Sequence, residues 1–218
     1  MEAHQLTDSS TQTLYKIVNK DGTPCHGGSS SFVWPLPHDN EPGAWVEVDG
    51  PIVLCEDPCL HLTTDPAWCL HELGGDPSEL VCCIAEYDGE ILRDHHSHKV
   101  GVRRARLIRQ VGWDTVRVVS SGHHTASGGY WCAWGNATVR ALGNVRVRAW
   151  DNATVHAWDS VTVHAWGSAT VRALGNATVI SSKSHAPSAT VALFNLAAHV
   201  DRRGGGLAFR CPGSEVSQ

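Results

Sequence analysis

At 218 residues and a formal net charge of −5, the chain has room for two modest domains. No run of Lys or Arg exceeds two residues, which suits it poorly to sequence-independent binding of nucleic acid. No apolar stretch approaches the roughly 18–20 residues that span a bilayer, so membrane insertion through a helix is not expected.

The opening MEAHQLTDSSTQTLYKIV is polar and lacks the basic and apolar regions of an export signal, so the protein is expected in the cytoplasm of a bacterium or a phage-infected host. Residues 1–12 read as disordered. Eight cysteines are many for a reducing compartment, where a disulfide framework is not expected.

Residues 13–111 read as a small α+β domain. Thr13–Val18 is a predicted strand ending at the Asn19–Gly22 turn, and Ala44–Val48 with Ile52–Cys55 forms a predicted hairpin around Asp49-Gly50. Asp65–Leu73 is a predicted short helix, begun by Thr64 or Asp65 with Pro66 at its first position. Leu80–Tyr87 is an apolar strand that Asp88-Gly89 should turn into Glu90–Leu92, and Val100–Val111 is a further strand.

From residue 112 to 194 the composition changes to Ala, Val, Thr, Asn, Gly and Trp, in a period of eight. From Gly135 the register is GNATVRAL, GNVRVRAW, DNATVHAW, DSVTVHAW, GSATVRAL, GNATVISS. Further copies are GWDTVRVV from Gly112, SGGYWCAW from Ser127 and PSATVALF from Pro187. The third, fifth and seventh places are small and apolar, alternating with Thr or Arg, Arg or His, and Trp or Leu. That is the period of a strand with one buried face. The first two places are turn residues, so each octad reads as a short strand and a corner, and the Asn136, Asn152 and Asn176 sequons read as turn residues.

A fixed short repeat of this kind predicts a β-solenoid, a stack in which each unit is buried against its neighbours. A flattened coil of two octads and a triangular coil of three both fit, and an up-and-down antiparallel sheet is the alternative. Residues 195–218 read as a cap followed by a loose tail.

Stacking turns sequence columns into ladders. Arg140, Arg148, His156, His164 and Arg172 fill the sixth column, and Trp150, Trp158 and Trp166 stand in the eighth. Their structural reading is a soluble sheet surface with covered corners. Their functional reading is a binding face, since basic groups interleaved with aromatics suit nucleic acid or another polyanion. The net charge and the short basic runs disfavour nucleic acid and leave a protein partner.

In the first domain, Cys55, Cys59, His61, Cys69 and His71 form a thiol and imidazole set near zinc-ligand spacing, though without a C-x2-C knuckle. His95, His96 and His98 form a second cluster in a polar loop.

The segments LYKIVNKDG, VLCEDPCLHLTTDP, VCCIAEYDGEI and HKVGVRRARLIR, followed by GNATVRAW-type repeats, resemble a domain of actinobacterial and phage proteins to which no biochemistry is assigned. LHLTTDPAWC, IAEYDGEI and VGVRRARLI are also similar to segments of rifamycin-type ADP-ribosyltransferases, small folds that hold NAD in a cleft between sheets. The second resemblance implies catalytic roles for Lys16, His61 and Glu86 or Glu90. The family has His or Arg where this chain has Tyr15-Lys16, and no clear acid follows the late Arg-rich strand to stabilise an oxocarbenium-like transition state.

The expected function is therefore a non-enzymatic scaffold that presents a rigid Arg/His/Trp face or self-associates through its solenoid. No cofactor is expected on that reading. The alternative is an NAD-dependent ADP-ribosyltransferase targeted by its repeats, and zinc is the other candidate cofactor.

Overall fold

A computed structural model describes residues 12–26, 32–54, 58–94, 96–181, 189–193, 197–201 and 208–210. The expectations for residues 1–11, Cys55, His95 and the tail from Cys211 lie outside them. The chain forms two compact units. One comprises the residues up to Thr64 together with Glu79–Val111, and the other Asp65–Ser78 together with the chain from Gly112.

In the first unit, β1 (Leu14–Asn19), β2 (Val46–Glu47), β3 (Leu60–Thr63), β4 (Leu80–Arg93) and β5 (Lys99–Val111) form one antiparallel sheet. Its order is β2-β5-β3-β1-β4, and β4 also pairs with β5, so the sheet closes on itself. Closure depends on the two long strands, which pair with each other from Cys82 opposite Val111 to Arg93 opposite Val100, while β1 also pairs with β4, and β3 and β2 with β5. Leu14, Val18, Trp34, Leu60, Leu62, Val102 and Leu107 fill the interior.

Two expectations need correction here. Val46–Glu47 pairs with Arg104–Ala105 of β5, and no strand is assigned to Ile52–Leu54, so the hairpin around Asp49-Gly50 does not form. Asp88-Gly89 does not end a strand either: β4 runs through it, with a shift in pairing between Asp88 and Ile91. The left-handed Gly89 (φ 84°) is absorbed as a bulge that bends the strand.

The second unit opens with α1 (Pro66–Leu73), capped at its start by Asp65, whose side chain accepts from the Trp68 N–H at 3.1 Å. Sequence composition groups this helix with the first domain, whereas by its contacts it belongs with the repeats. Among the described residues no helix is long and apolar enough to cross a membrane.

The repeats are a parallel β-solenoid. Its strands are β6 (Val118–Val119), β7 (His123–Ala126), β8 (Tyr130–Ala133), β9 (Thr138–Ala141), β10 (Arg146–Ala149) and β11 (Thr154–Ala157). They continue as β12 (Thr162–Ala165), β13 (Thr170–Ala173), β14 (Thr178–Ser181), β15 (Thr190–Leu193), β16 (Ala198–Asp201) and β17 (Ala208–Arg210). Consecutive strands alternate between two sheets, ordered β17-β16-β14-β12-β10-β8-β6 and β15-β13-β11-β9-β7. Thr154 pairs with Thr138 on one side and Thr170 on the other, so one coil is two octads. This selects the flattened coil, and the parallel pairing excludes the up-and-down sheet.

The inward places are occupied as the period requires. Ala137, Val139, Ala141, Val145, Val147 and Ala149, and their equivalents to Val179, are fully buried. The fully buried inward places of the central coils are all Ala or Val, and the larger Trp131 and Leu193 at the ends are only partly buried.

The ends depart from the ideal. The copy at Gly112 contributes a 3₁₀ turn, Trp113–Val116, and only Val118–Val119 as strand. The HHTA strand β7 has neither the Val nor the Gly-Asn corner that would mark it in the sequence. At the far end Thr170 pairs with Thr190, a longer coil, and β17 closes its sheet by pairing antiparallel with β16.

The first place of each octad is the corner. Gly135, Gly143, Asp151, Asp159, Gly167 and Gly175 all have φ between 55° and 74°. Each coil stacks its corner on the next, and a Cβ on Gly135 would lie 2.7 Å from the Ser120 carbonyl oxygen. The two aspartates carry left-handed strain there, and Asp159 recovers part of it by accepting from the Gly143 N–H at 3.1 Å. Asp151→Gly is thus expected to leave stability unchanged or raise it by up to about 1 kcal/mol, strain relief being offset by chain entropy. Asp159→Gly should fall below it by at most about 1 kcal/mol. Coincident urea midpoints for the two variants would show that the Asp159 bond adds nothing.

Candidate functional site

In the first unit, the structure joins two of the residues that the ADP-ribosyltransferase resemblance singles out and separates the others. Lys16 on β1 donates to the His61 carbonyl on β3 at 2.9 Å, and its ammonium lies 5.2 Å from the Trp34 ring centroid. Glu86 is exposed on β4 and binds Arg106 through both Nε and an η nitrogen at 2.7 Å. Glu90 lies 3.8 Å from Arg103. His61 is opposite Gly101 and Glu86 opposite Arg106, five residues further along β5, or roughly 17 Å of extended strand. Both carboxylates are engaged by arginines of β5, and Glu86 lies away from the Lys16–His61 contact.

The thiol and imidazole set is also divided. Cys59 and His61 belong to the first unit, Cys69 and His71 to α1 in the second, and Cys55 lies outside the described residues. Among the described residues no group of three or more His, Cys, Asp or Glu is arranged to hold a metal ion. His98 of the other histidine cluster shares a hydrogen bond of 2.9 Å with the Thr64 hydroxyl, and His96 donates its backbone N–H to Asp94.

In the solenoid the single Arg/His/Trp column becomes two, because successive octads lie in opposite sheets. Arg140, His156 and Arg172 stack on β9, β11 and β13, with Trp158 beside them. Arg148 and His164 stack on β10 and β12, with Trp150 and Trp166. In-register parallel pairing sets each cation diagonally over a Trp of the next coil: Arg140 is 4.9 Å from the Trp158 ring centroid and Arg148 is 4.7 Å from Trp166. His156 and His164 stack on Trp158 and Trp166 at 6.0 and 5.9 Å. These pairs cover the sheet margins and fix the side chains.

The second ladder is partly covered by the chain itself. α1 packs on β8, where the sixth place is Cys132 instead of Arg or His, and the Cys132 thiol donates to the Ala67 carbonyl at 3.5 Å. Burial pushes that thiol up to about 12. At the other end of the helix Arg148 donates to the carbonyls of Leu70 and His71 at 2.5 and 3.2 Å. A cation there adds a donor to the Leu70 carbonyl, which the Gly74 N–H already engages, and it opposes the negative end of the helix dipole. Arg148 is therefore first a structural residue.

Beside this contact is an open pocket of about 550 Å³, lined by His71, Glu72, Leu73, Arg146, Arg148, Thr162, His164 and Trp166. Arg146 is exposed and donates to the Tyr130 hydroxyl at 2.9 Å. The His71 ring touches Tyr130 and His164 edge-on, with centroids 5.2 and 4.8 Å away. Its Nδ1 faces the Glu72 carboxylate at 3.3 Å, and its side chain is only 7 % exposed. Burial holds the imidazole below its ordinary value of 6.5; Glu72 opposes the shift, and Arg148 and Arg146 add to it.

Arg148, His164 and Trp166 stand out in the sequence as ladder residues, but Glu72, Arg146 and Thr162 do not. The legible signal was Cys132, the break in the basic column that marks where the helix lands. Comparison with protein-family models, curated proteins and solved structures gives no match.

Proposed function

We propose that the protein is a non-enzymatic interaction scaffold whose binding surface is the outer face of the five-stranded solenoid sheet. The observation that carries this reading is the make-up of that face. Outward along β7, β9, β11, β13 and β15 lie His123, Thr138, Thr154, Thr170 and Thr190 in one row, and Thr125, Arg140, His156, Arg172 and Ala192 in the next. None of the five strands carries an acidic residue. Cations at a spacing of about 4.8 Å per strand, on a sheet that cannot rearrange, match an extended acidic protein segment, while no run of Lys or Arg longer than two residues is present to grip a phosphate backbone.

His156 adds a dependence on pH. Burial, and then the neighbouring Arg172, hold it below its ordinary 6.5, so it is neutral at pH 7.5 and becomes a third cation in the row on acidification. A fluorescein-labelled oligoglutamate peptide is the probe. Binding should tighten as the pH falls below 6.5, and weaken about tenfold or more in Arg140→Glu/Arg172→Glu. Equal affinity of the two proteins for the peptide would refute the reading.

A further inference from the structure

The pocket at the end of α1 contains an unused polar atom. His71 Nε2 is buried and has no hydrogen-bond partner, although the side chain is more than nine-tenths enclosed and lines the cavity. The burial of an unpaired ring nitrogen costs stability, and such a group is retained where a ligand completes it. Glu72 accepts at Nδ1, which places the ring proton there and leaves Nε2 as an acceptor. The missing partner is therefore a donor.

The other polar groups around the pocket favour an anion. Arg146 is exposed at its rim, and Arg148 uses one of its terminal nitrogens on the helix carbonyls while keeping further N–H groups. Thr162 and His164 line it from β12, beside Arg146 and Arg148 in the same sheet, and Glu72 contributes one carboxylate. Two guanidiniums against one carboxylate repel a metal cation, which agrees with the absence of a metal-ligating group among the described residues.

We propose that this pocket binds a protonated oxyanion, monohydrogen phosphate, with its charged oxygens on Arg146 and Arg148 and its O–H donated to His71 Nε2. Phosphate near neutral pH carries both features, a negative charge and a hydroxyl. Sulfate has nearly the same size and charge but no hydroxyl, and it would leave Nε2 unpaired.

Calorimetric titration of the full chain with inorganic phosphate and with sulfate, in an amine buffer at pH 7.5, tests this. Phosphate should bind saturably and at least tenfold more tightly than sulfate. Arg146→Gln, at an exposed site, should weaken both anions about tenfold. His71→Phe, which keeps a ring of similar size, should abolish the preference for phosphate, while Arg140→Gln on the opposite sheet changes neither.

The pH dependence follows from the groups facing His71: Glu72 on α1, Tyr130 on β8, Arg146 and Arg148 on β10, and His164 on β12. Below the histidine's titration Nε2 carries a proton and becomes a donor, so the preference for phosphate should shrink. A nucleoside monophosphate, almost wholly dianionic at pH 7.5 and without a P–O–H to donate, should bind more weakly than inorganic phosphate, and tighter binding of it would refute the role of the hydroxyl. Absence of saturable binding by phosphate, or equal binding of sulfate and phosphate at pH 7.5, would overturn the proposal.

Discussion

Val155→Asp is expected to unfold the solenoid at room temperature. Val155 is fully buried in the column Val139–Val155–Val171, at the middle of a core built entirely from Ala and Val. Aspartate is no larger than valine, so overpacking does not enter and polarity dominates the effect. A carboxyl placed there, even protonated, finds no side-chain donor or acceptor among these neighbours, a cost of about 4 kcal/mol or more. In a quasi-one-dimensional stack each coil is stable only against its neighbours, so a lesion in a central coil separates those before it from those after it. Val155→Ala removes about two buried methylene equivalents, roughly 1.6 kcal/mol before any cavity cost, and should leave a folded but weaker protein. Circular dichroism with urea titration ranks the variants. An unchanged midpoint for Val155→Asp would mean that Val155 does not face a closed interior.

Asp65→Ala is expected to release α1 from the solenoid. Eight residues are too few to hold a helix in water by themselves. This helix is anchored at both ends by arginines of the repeat unit: Arg117 binds the Asp65 carboxylate at 2.6 Å, and Arg148 takes the last carbonyls. Between them only Pro66, Ala67 and Leu70 are buried. The Asp65 side chain is 5 % exposed and caps the Trp68 N–H, so its removal loses a cap worth about 1 kcal/mol and breaks an ion pair. A fully buried pair costs about 3–5 kcal/mol to break, but Arg117 is 37 % exposed and solvent screens it, so a total of about 2–3 kcal/mol is expected. Asp65→Asn keeps the cap acceptor and should lose less than half of that. Hydrogen exchange resolved to α1 provides the readout. Unchanged protection of its amides in Asp65→Ala would show that apolar burial holds the helix without its N-terminal anchor.

The repeat unit was legible in the sequence because every level of structure agrees there. The period of eight sets the strand length, its even value keeps one face inward, and Gly or Asp at the first place supplies the left-handed corner. Two octads per coil could not be read from the period, since identical octads stack equally well in either coil. That choice decides function, for it sends Arg140 and Arg148 to opposite sheets.

The first unit was less legible. Val46–Glu47 takes its partner from β5, more than fifty residues on, and Gly89 produces a bulge where Asp-Gly ordinarily produces a turn. Both outcomes depend on tertiary pairing that overrides local preference. The helix was correctly placed along the chain but assigned to the wrong unit, because its few buried contacts leave no compositional trace. Of the pocket, the ladder residues were visible, and the contribution of Glu72 and Arg146 depends on where the helix comes to rest.

Two octads per coil also impose a parity on this molecule. The spacing between paired residues is not fixed, being wider from Thr170 to Thr190 than from Thr154 to Thr170. Insertion or loss of a single octad, by contrast, would transfer every later strand to the other sheet, exchanging the Arg172 row for the Ile180 row and moving the closing strand β17 across with it. Duplication of octads in pairs preserves both surfaces and adds about 4.8 Å of length per coil. The lineage of such a chain can therefore grow or shrink as a ruler marked in units of sixteen residues, with odd steps selected against by the faces that they would scramble.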